Sequence, residues 1–263
     1  IINERIIVWC EQGLGDMIQF VRYIEPLKER AAEIILVCPE RLIRLFSKSN
    51  FLVKIISDEG PFPNAAYNVP LMSLPYLLRT QNIPKYSPYL FAEDGLVSKW
   101  REILGPPIKK RIGISWNGNP KQELNYQRSI PSVVIKILSE LDEFEFISLQ
   151  QVSELEGLKH IKALRDIGNY KVDYESAFID TVAIMFNLDL IITVDTAIAH
   201  LAGALGVRTW LLLPSCPDWR WLYDHESTNW YPNMKLFRQT KVGDWVEVIE
   251  RVSRSLRKKE FLN

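Results

Sequence analysis

The feature that most constrains the fold is a strand-helix-strand pattern in residues 189–214. Residues 190–194 form a continuous run of strand-forming side chains between Asp189 and Asp195, which is typical of a fully buried parallel strand. Asp195 and Thr196 then supply N-cap oxygens for a helix with apolar residues at helical spacing, and Gly206 stands where a C-terminal glycine is favoured. Residues 209–213 form a second apolar strand. The pattern predicts a βαβ crossover in an α/β protein.

This crossover has a chemical consequence at the beginning of its helix. The free amides of Thr196, Ala197 and Ile198 and the positive end of the helix dipole favour a phosphate or diphosphate. His200 would face the same point and donate a further hydrogen bond. An ordinary buried βαβ unit, in which Asp195 only caps and His200 only packs, fits the pattern equally well. Both interpretations stay open on this motif alone.

Composition excludes several classes of function. The 263 residues include 32 basic and 32 acidic side chains, a balance that argues against non-specific binding of nucleic acid or of an anionic membrane. Cys10, Cys38 and Cys216 are widely separated, so no metal-ligand pair is predicted and the compartment is expected to be reducing. No apolar run reaches membrane-spanning length and no signal peptide opens the chain. We therefore expect a cytoplasmic protein, with an upstream segment removed or lying outside the sequence.

The first predicted strand spans residues 5–10, and a glycine-rich turn follows it. Gly13 and Gly15 permit a tight turn and close approach of a ligand, and Asp16 stands at the beginning of the next helix. Asp16 fits either an N-cap or a carboxylate that acts as general base in a cleft. Strands and helices alternate on both sides of Gly105-Pro106-Pro107, which predicts two doubly wound α/β domains with a ligand between them. We predict domains at residues 1–107 and 108–240, followed by a terminal helical segment, 241–263, that packs across both.

These motifs carry a resemblance to a known family. Residues 13–28 and 194–206 resemble glycosyltransferase family 9, the heptosyltransferase-like group of inverting GT-B enzymes. The sequence is more similar still to the glycosyltransferase-like domain that follows tetratricopeptide repeats in many bacterial proteins. The shared segments are residues 11–16, 148–150, 217–221, 230–232, 236–239 and 243–245.

The resemblance implies two Rossmann-like domains, with an acceptor held by the first and a nucleotide sugar by the second. Asp16 matches the family's base, Gly13 and Gly15 its acceptor-side loop, and Asp195, Thr196, Ala197 and His200 its donor-phosphate motif. Arg128 is the nearest counterpart of a basic residue that neutralises the donor diphosphate. The residues around Arg128 depart from the threonine-rich heptosyltransferase pattern, so the donor is expected to be a UDP-, ADP- or GDP-linked sugar of hexosyl or heptosyl type.

Five further residues are predicted to bind the donor because they lie at or after the ends of strands. Trp116, Asn117 and Gln150 follow two strands of the second half, and Gln150 suits a base or ribose contact. Residues 218–221, with Asp218 and Trp219 predicted to contact the donor, suit a pocket wall that binds by stacking and a bidentate contact, or else their aromatic rings close the core below the cleft. No Asp-x-Asp motif is present, so we predict transfer without a metal or other cofactor.

Three classes of function remain open from the sequence. The first is an inverting glycosyltransferase acting on a glycan, a lipid-linked saccharide or a protein. The second is an inactive module that binds nucleotide sugars, and the third is a GT-B sugar-nucleotide epimerase. An upstream repeat domain and a peripheral contact with the inner face of the membrane are further expected partners. The basic residues that suggest the membrane contact are Arg251, Arg254, Arg257, Lys258 and Lys259.

Overall fold

The computed structural model describes residues 4–49, 51–85, 87–123, 125–150, 164–167 and 176–262. Its first sheet has four parallel strands in the order β3-β2-β1-β4. The strands are β1 (Arg5–Trp9), β2 (Glu33–Cys38), β3 (Lys54–Ser57) and β4 (Tyr67–Pro70). Because β1 lies inside the sheet and carries a run of apolar residues, it is buried at Ile6, Ile7 and Val8.

The second sheet has six parallel strands in the order β10-β9-β8-β5-β6-β7. Its strands are β5 (Lys110–Ser115), β6 (Phe144–Ser148), β7 (Leu164–Arg165), β8 (Leu190–Val194), β9 (Thr209–Leu213) and β10 (Met234–Arg238). All five residues of β8 are buried, as its uninterrupted strand-forming sequence predicts. Two parallel α/β sheets confirm the predicted fold class, and the predicted domain limits remain predictions.

Short helices connect the strands. They are α1 (Leu14–Phe20), α2 (Ile24–Lys28), α3 (Glu40–Ser47), α4 (Leu74–Leu77), α5 (Asp94–Leu104), α6 (Asn125–Arg128), α7 (Ser132–Ile135), α8 (Ile179–Met185), α9 (Ala197–Ala204) and α10 (Trp245–Arg257). Single turns of 3-10 helix lie at Val21–Tyr23, Leu71–Ser73, Leu138–Glu140, Trp219–Trp221 and Glu260–Leu262. None of the helices in the described part of the chain is long and apolar enough to cross a membrane.

The sequence does not predict three of the strands, β4, β7 and β10. The prolines of residues 58–88 predict loops and short turns, yet β4 lies there, and β10 carries Lys235 and Arg238 at the edge of its sheet. The spacing of residues 132–141 predicts one helix, and the structure instead has α7 followed by a 3-10 turn. A short strand predicted near residues 170–172 lies outside the described residues.

The principal core joins the two sheets. One continuous cluster of buried apolar side chains includes Ile6 and Leu36 from the first sheet together with Ile191 and Leu211 from the second. The Trp100 indole of α5 donates a hydrogen bond of 2.8 Å to Asp180 of α8, which ties helices of the two halves together. The halves are therefore joined by packed core rather than by a linker alone.

A second cluster lies on the other side of the second sheet, and α10 belongs to it. Val248, Ile249, Val252 and Leu256 pack there against side chains such as Ile112 of β5. The amphipathic spacing of these residues is the one that the sequence predicts, but they all face the second sheet. The expectation that the terminal segment packs across both domains stays a prediction, since these buried apolar residues of α10 belong to the cluster on the second sheet.

Candidate active site

Two helix beginnings meet at the carboxyl edges of the central strands. The turn after β1 leads into α1 and the turn after β8 leads into α9, and the two helices pack against each other. A methyl group at Gly15 would lie 3.0 Å from Cδ2 of His200 and 3.3 Å from the Cα of Ala197. Glycine at this position therefore lets α1 approach α9 closely.

Asp16 is the third residue of α1 and is partly exposed, with 26% of its side chain accessible. Its Oδ2 accepts a hydrogen bond of 3.0 Å from the amide of Gly13, which closes the turn. Its Oδ1 accepts a charge-assisted hydrogen bond from Nη2 of Arg220, a residue of the second half. The carboxylate is both a helix cap and one partner of an ion pair between the halves.

Arg220, which the sequence singles out only as part of the motif at residues 218–221, contacts several of the predicted site residues. Its side chain is 11% exposed, its Nε donates to Oε1 of Gln19 at 2.7 Å, and its Nη1 donates to Oδ1 of Asp218 at 2.9 Å. The guanidinium also lies 4.8 Å from the ring centroid of Trp219, within the range of cation-π attraction. Asp218 caps the 3-10 turn that presents Arg220, by accepting from its amide. Trp219 itself is 61% exposed.

His200 lies in the first turns of α9 and is 5% exposed. Its Nδ1 is 3.0 Å from the hydroxyl of Tyr231, and its ring stacks on Trp221 with centroids 5.4 Å apart. Burial lowers the pKa of His200 to about 3, and the charges of Arg220 and Arg22 act in the same direction. His200 is therefore neutral near pH 7. Within the described residues its Nε2 meets no hydrogen-bond partner.

Asp195 and Thr196 form the turn between β8 and α9. Burial raises the pKa of Asp195 to about 6 against the opposing effect of the nearby Trp221 indole, and the charge of Asp218 raises it further. The hydroxyl of Thr196 is buried and has no hydrogen-bond partner among the described residues. Because Thr196 is extended where it caps α9 and its hydroxyl does not close the cap, the helix amides are left for another acceptor.

Arg128 reaches the same turn from the loop after β5. Its Nη1 donates to the carbonyl oxygen of Asp195 at 3.2 Å, and its other donors face Asn125 and Gln122. The structure thus brings together Asp16, Arg128, Asp195, Thr196, Ala197, His200 and Asp218.

Gln150, Trp116 and Asn117 have a different arrangement from the one expected. Oε1 of Gln150 accepts from the amides of Trp116 at 3.2 Å and Asn117 at 3.1 Å, and its Nε2 donates to the carbonyl of Asn117. Gln150 holds the loop that carries Arg128, whereas the Trp116 side chain is 1% exposed and lies in the second core cluster. Direct contact of these side chains with a donor remains a prediction.

A cavity of about 590 Å³ lies away from this site, at the amino end of the second sheet, where Gly105, Lys109, Phe144 and Arg165 line it. The Asp16–Arg220 pair and the contact of α1 with α9 lie at the carboxyl edges of the two sheets. In the part of the chain that the structure describes, no group of three His, Cys, Asp or Glu side chains could hold a metal ion.

The two facing parallel sheets and their meeting turns define the GT-B fold of the glycosyltransferase family 9 heptosyltransferases. The chain is similar to a family 9 glycosyl transferase from Veillonella parvula, with a TM-score of 0.66 and 13% identity over 98% of this chain and 97% of that one. It is equally similar to the ADP-heptose lipopolysaccharide heptosyltransferase II of E. coli, with a TM-score of 0.66 and 12% identity over 97% and 99% of the two chains. E. coli heptosyltransferase WaaC with ADP-2-deoxy-2-fluoro heptose gives a TM-score of 0.63 at 8% identity over 97% and 99%.

A curated relative in sequence is protein FlbA of Caulobacter vibrioides, which is 24% identical over 281 aligned positions. The alignment covers 97% of this chain but 46% of FlbA, so the chain spans about half the length of the curated relative it matches. No protein-family model matches the chain.

Proposed function

We propose that the protein is a glycosyltransferase that moves a sugar from a nucleoside diphosphate to an acceptor hydroxyl, with inversion and without a metal. The observation that carries this proposal is the close approach of the turn that holds Asp16 to the beginning of α9 and His200, in a fold shared with family 9 enzymes. A single displacement needs one base and one group that stabilises the leaving diphosphate, and the two turns offer these from opposite sides.

In the proposed reaction Asp16 accepts the proton of the acceptor hydroxyl while the hydroxyl oxygen attacks the anomeric carbon. The bond from that carbon to the diphosphate breaks, and the nucleoside diphosphate leaves with the electron pair. The negative charge that develops on its oxygens is stabilised by the amides at the beginning of α9, by neutral His200 as a hydrogen-bond donor, and by Arg128.

The donor class is argued from the same groups. Backbone amides, a neutral imidazole and guanidinium groups suit a diphosphate, and the description of the E. coli neighbour names ADP-heptose as its sugar nucleotide. We propose a UDP-, ADP- or GDP-linked sugar as donor and a glycan, lipid-linked saccharide or protein as acceptor. We further propose that the natural protein carries an upstream repeat domain and works on the inner side of the membrane, with its basic terminal helix at that surface.

The test combines binding and turnover. A nucleotide present at about 100 times its dissociation constant should stabilise the protein by roughly 2.7 kcal/mol, so a thermal-shift screen of UDP, ADP, GDP and their sugar conjugates identifies the donor. With that donor, Asp16→Asn should lower kcat by about 10²- to 10⁴-fold while the nucleotide still binds. Glu247→Gln, which removes an acid of the ion pair with Arg251 on α10, is the matched control and should keep full activity. Unchanged kcat in Asp16→Asn would remove Asp16 from the role of base.

One observation favours a second candidate, a module that binds nucleotide sugars without turning them over. Both carboxylate oxygens of Asp16 already accept hydrogen bonds, from Gly13 and from Arg220, so Arg220 competes with an acceptor hydroxyl for the base in this conformation. Such a module would bind the donor with the same selectivity and would form no product with any acceptor, including water. Release of the free sugar or of a glycosylated acceptor by the unmodified protein would reject it.

A further inference from the structure

We propose that Arg220 binds the donor and that Asp16 and the donor diphosphate compete for it. Arrival of the diphosphate draws Arg220 away from Asp16 and so frees the base. This inference rests on the proposed function, because it assigns the donor diphosphate as the second partner of Arg220. It makes the reaction ordered: the acceptor hydroxyl meets a free carboxylate only after the donor is bound.

The first argument is the position of Arg220 between the base and α9. Its guanidinium contacts the Asp16 carboxylate and Oε1 of Gln19 directly. Its positive charge also lowers the pKa of His200 and opposes the rise in the pKa of Asp195. The same cation therefore acts electrostatically on both halves of the site.

The second argument is two buried polar groups without partners at the site. Nε2 of Gln19 has no hydrogen-bond partner within the described residues, and Gln19 is 0% exposed. Gln19 accepts from Arg220 through its other amide atom, and the Thr196 hydroxyl at the beginning of α9 is likewise buried without a partner among the described residues. Because a buried donor without an acceptor is unfavourable, an oxygen-rich ligand beside Arg220 would supply the acceptors that these groups lack.

The third argument is charge. Arg220 is paired with two carboxylates, Asp16 and Asp218, and lies on a single 3-10 turn. Each of its two terminal nitrogens keeps an N–H that no described residue accepts. A diphosphate offers several charged oxygens at once and matches the guanidinium fork better than one carboxylate oxygen does. Asp218 can keep its contact and guide the guanidinium as it turns toward the diphosphate.

The experiment is a double-mutant cycle on nucleotide affinity, which requires no turnover. Calorimetric titrations with UDP, ADP and GDP are made on the unmodified chain, Asp16→Asn, Arg220→Gln and the double variant. We expect the selected nucleotide to bind about tenfold tighter to Asp16→Asn and at least about tenfold weaker to Arg220→Gln. In the Arg220→Gln background, Asp16→Asn should change the affinity by less than about twofold, because the competition has been removed.

This last comparison separates competition from simple repulsion. If Asp16 only repelled the diphosphate, its removal would raise the affinity equally in both backgrounds, and that result would overturn the inference. Arg251→Gln is the matched control for loss of an arginine from an ion pair and should leave the affinity unchanged. Arg220→Lys keeps the charge, so it tests the site if Arg220→Gln does not fold, and we expect an intermediate affinity.

Other outcomes distinguish the inference from the proposed function. Nucleotide binding by Asp16→Asn that is absent from the unmodified chain and from the double variant would support competition and would show that the Asp16–Arg220 pair blocks the unmodified site. Transfer activity together with unchanged affinity in both single variants would overturn the role of Arg220 and leave the transferase intact. Absence of nucleotide binding in every variant would overturn both.

Discussion

Two titratable side chains beside the beginning of α9 have displaced pKa values, one raised and one lowered. Asp195 is raised from 3.8 to about 6 and His200 is lowered from 6.5 to about 3, in both cases chiefly by burial. Both groups are thus favoured in their neutral forms where a diphosphate would bind. The neutral imidazole can donate to a phosphate oxygen without being an acid, and protonation of Asp195 removes a charge that would repel the ligand.

The pH dependence of stability follows from these shifts. Between pH 4 and 6 the folded protein holds more protons at Asp195 than the unfolded chain does, so this group's contribution to stability is lost as pH rises. At His200 the unfolded chain holds more protons, so its contribution is lost as pH falls below 6.5. We expect Asp195→Asn to lose about 1 kcal/mol more stability than the unmodified protein on going from pH 5.5 to 4.5, and His200→Gln to lose about 1 kcal/mol less. Urea unfolding at these two pH values measures both, and parallel profiles of all three proteins would contradict the assignment.

Sequence reasoning found the residues that directly follow strands but not the contacts between them. Asp16, Asp195 and His200 were predicted because parallel strands place their carboxyl ends at one edge. Arg220 was visible only as part of the motif at residues 218–221, since its partner Asp16 lies 204 positions away. Trp116 follows a strand as Asn117 does, yet its side chain turns into the core. The position of a residue along a strand determines at which edge of the sheet it lies. Packing determines its rotamer.

At the scale of elements, the site depends on how closely α9 approaches its neighbours. Gly15 sets the distance to α1, and Gly203 on the other side faces the ring of Tyr231, where an added Cβ would lie 2.3 Å from ring carbons. That ring is the hydrogen-bond partner of His200. The elements β8, α9 and β9 were predicted almost to the residue because local pattern and burial agree in them. β4 and β10 were missed because their polar residues are tolerated only by their place in a sheet.

Replacement of Gly203 by alanine tests this packing. We expect Gly203→Ala to lower the free energy of unfolding by about 1–3 kcal/mol, because the new methyl group must displace the Tyr231 ring. Gly95→Ala is the matched control: Gly95 lies in α5 with no atom within 4 Å of an added Cβ, so this change should stabilise the protein by up to about 1 kcal/mol. Equal effects of the two changes in denaturant titrations would mean that the ring yields without cost.

At the scale of the whole molecule, the two sheets share their principal core. Besides the Trp100–Asp180 bond, the amide of Ala177 donates to the carbonyl of Arg41 at 2.8 Å. The amides of Tyr89 and Leu90 donate to the carbonyl of Ala204, at 2.9 and 3.3 Å. The alternation of strands and helices predicted two sheets, but not that one cluster of side chains would run through both. That arrangement depends on contacts between distant segments, which no local pattern records.

Because the two sheets share a core, the two halves should unfold together. We expect a single unfolding transition in scanning calorimetry, with calorimetric and van't Hoff enthalpies in agreement, because neither sheet can lose its packing without exposing apolar surface of the other. A bound nucleotide should move this whole transition to higher temperature rather than split it. Two resolved transitions, of which only one responds to nucleotide, would show that the halves unfold independently.

The three cysteines of the chain differ in a way that experiments can use. Cys38 is buried with its pKa raised to about 12, burial also raises the pKa of Cys10, and Cys216 is exposed on the loop that leads to the Arg220 turn. Thiol reagents act on the thiolate, so near pH 8 a maleimide dye should attach at Cys216 alone. A fluorophore attached at Cys216, with no engineered residue, would lie beside the turn that carries Arg220. Its emission should therefore change when a ligand binds.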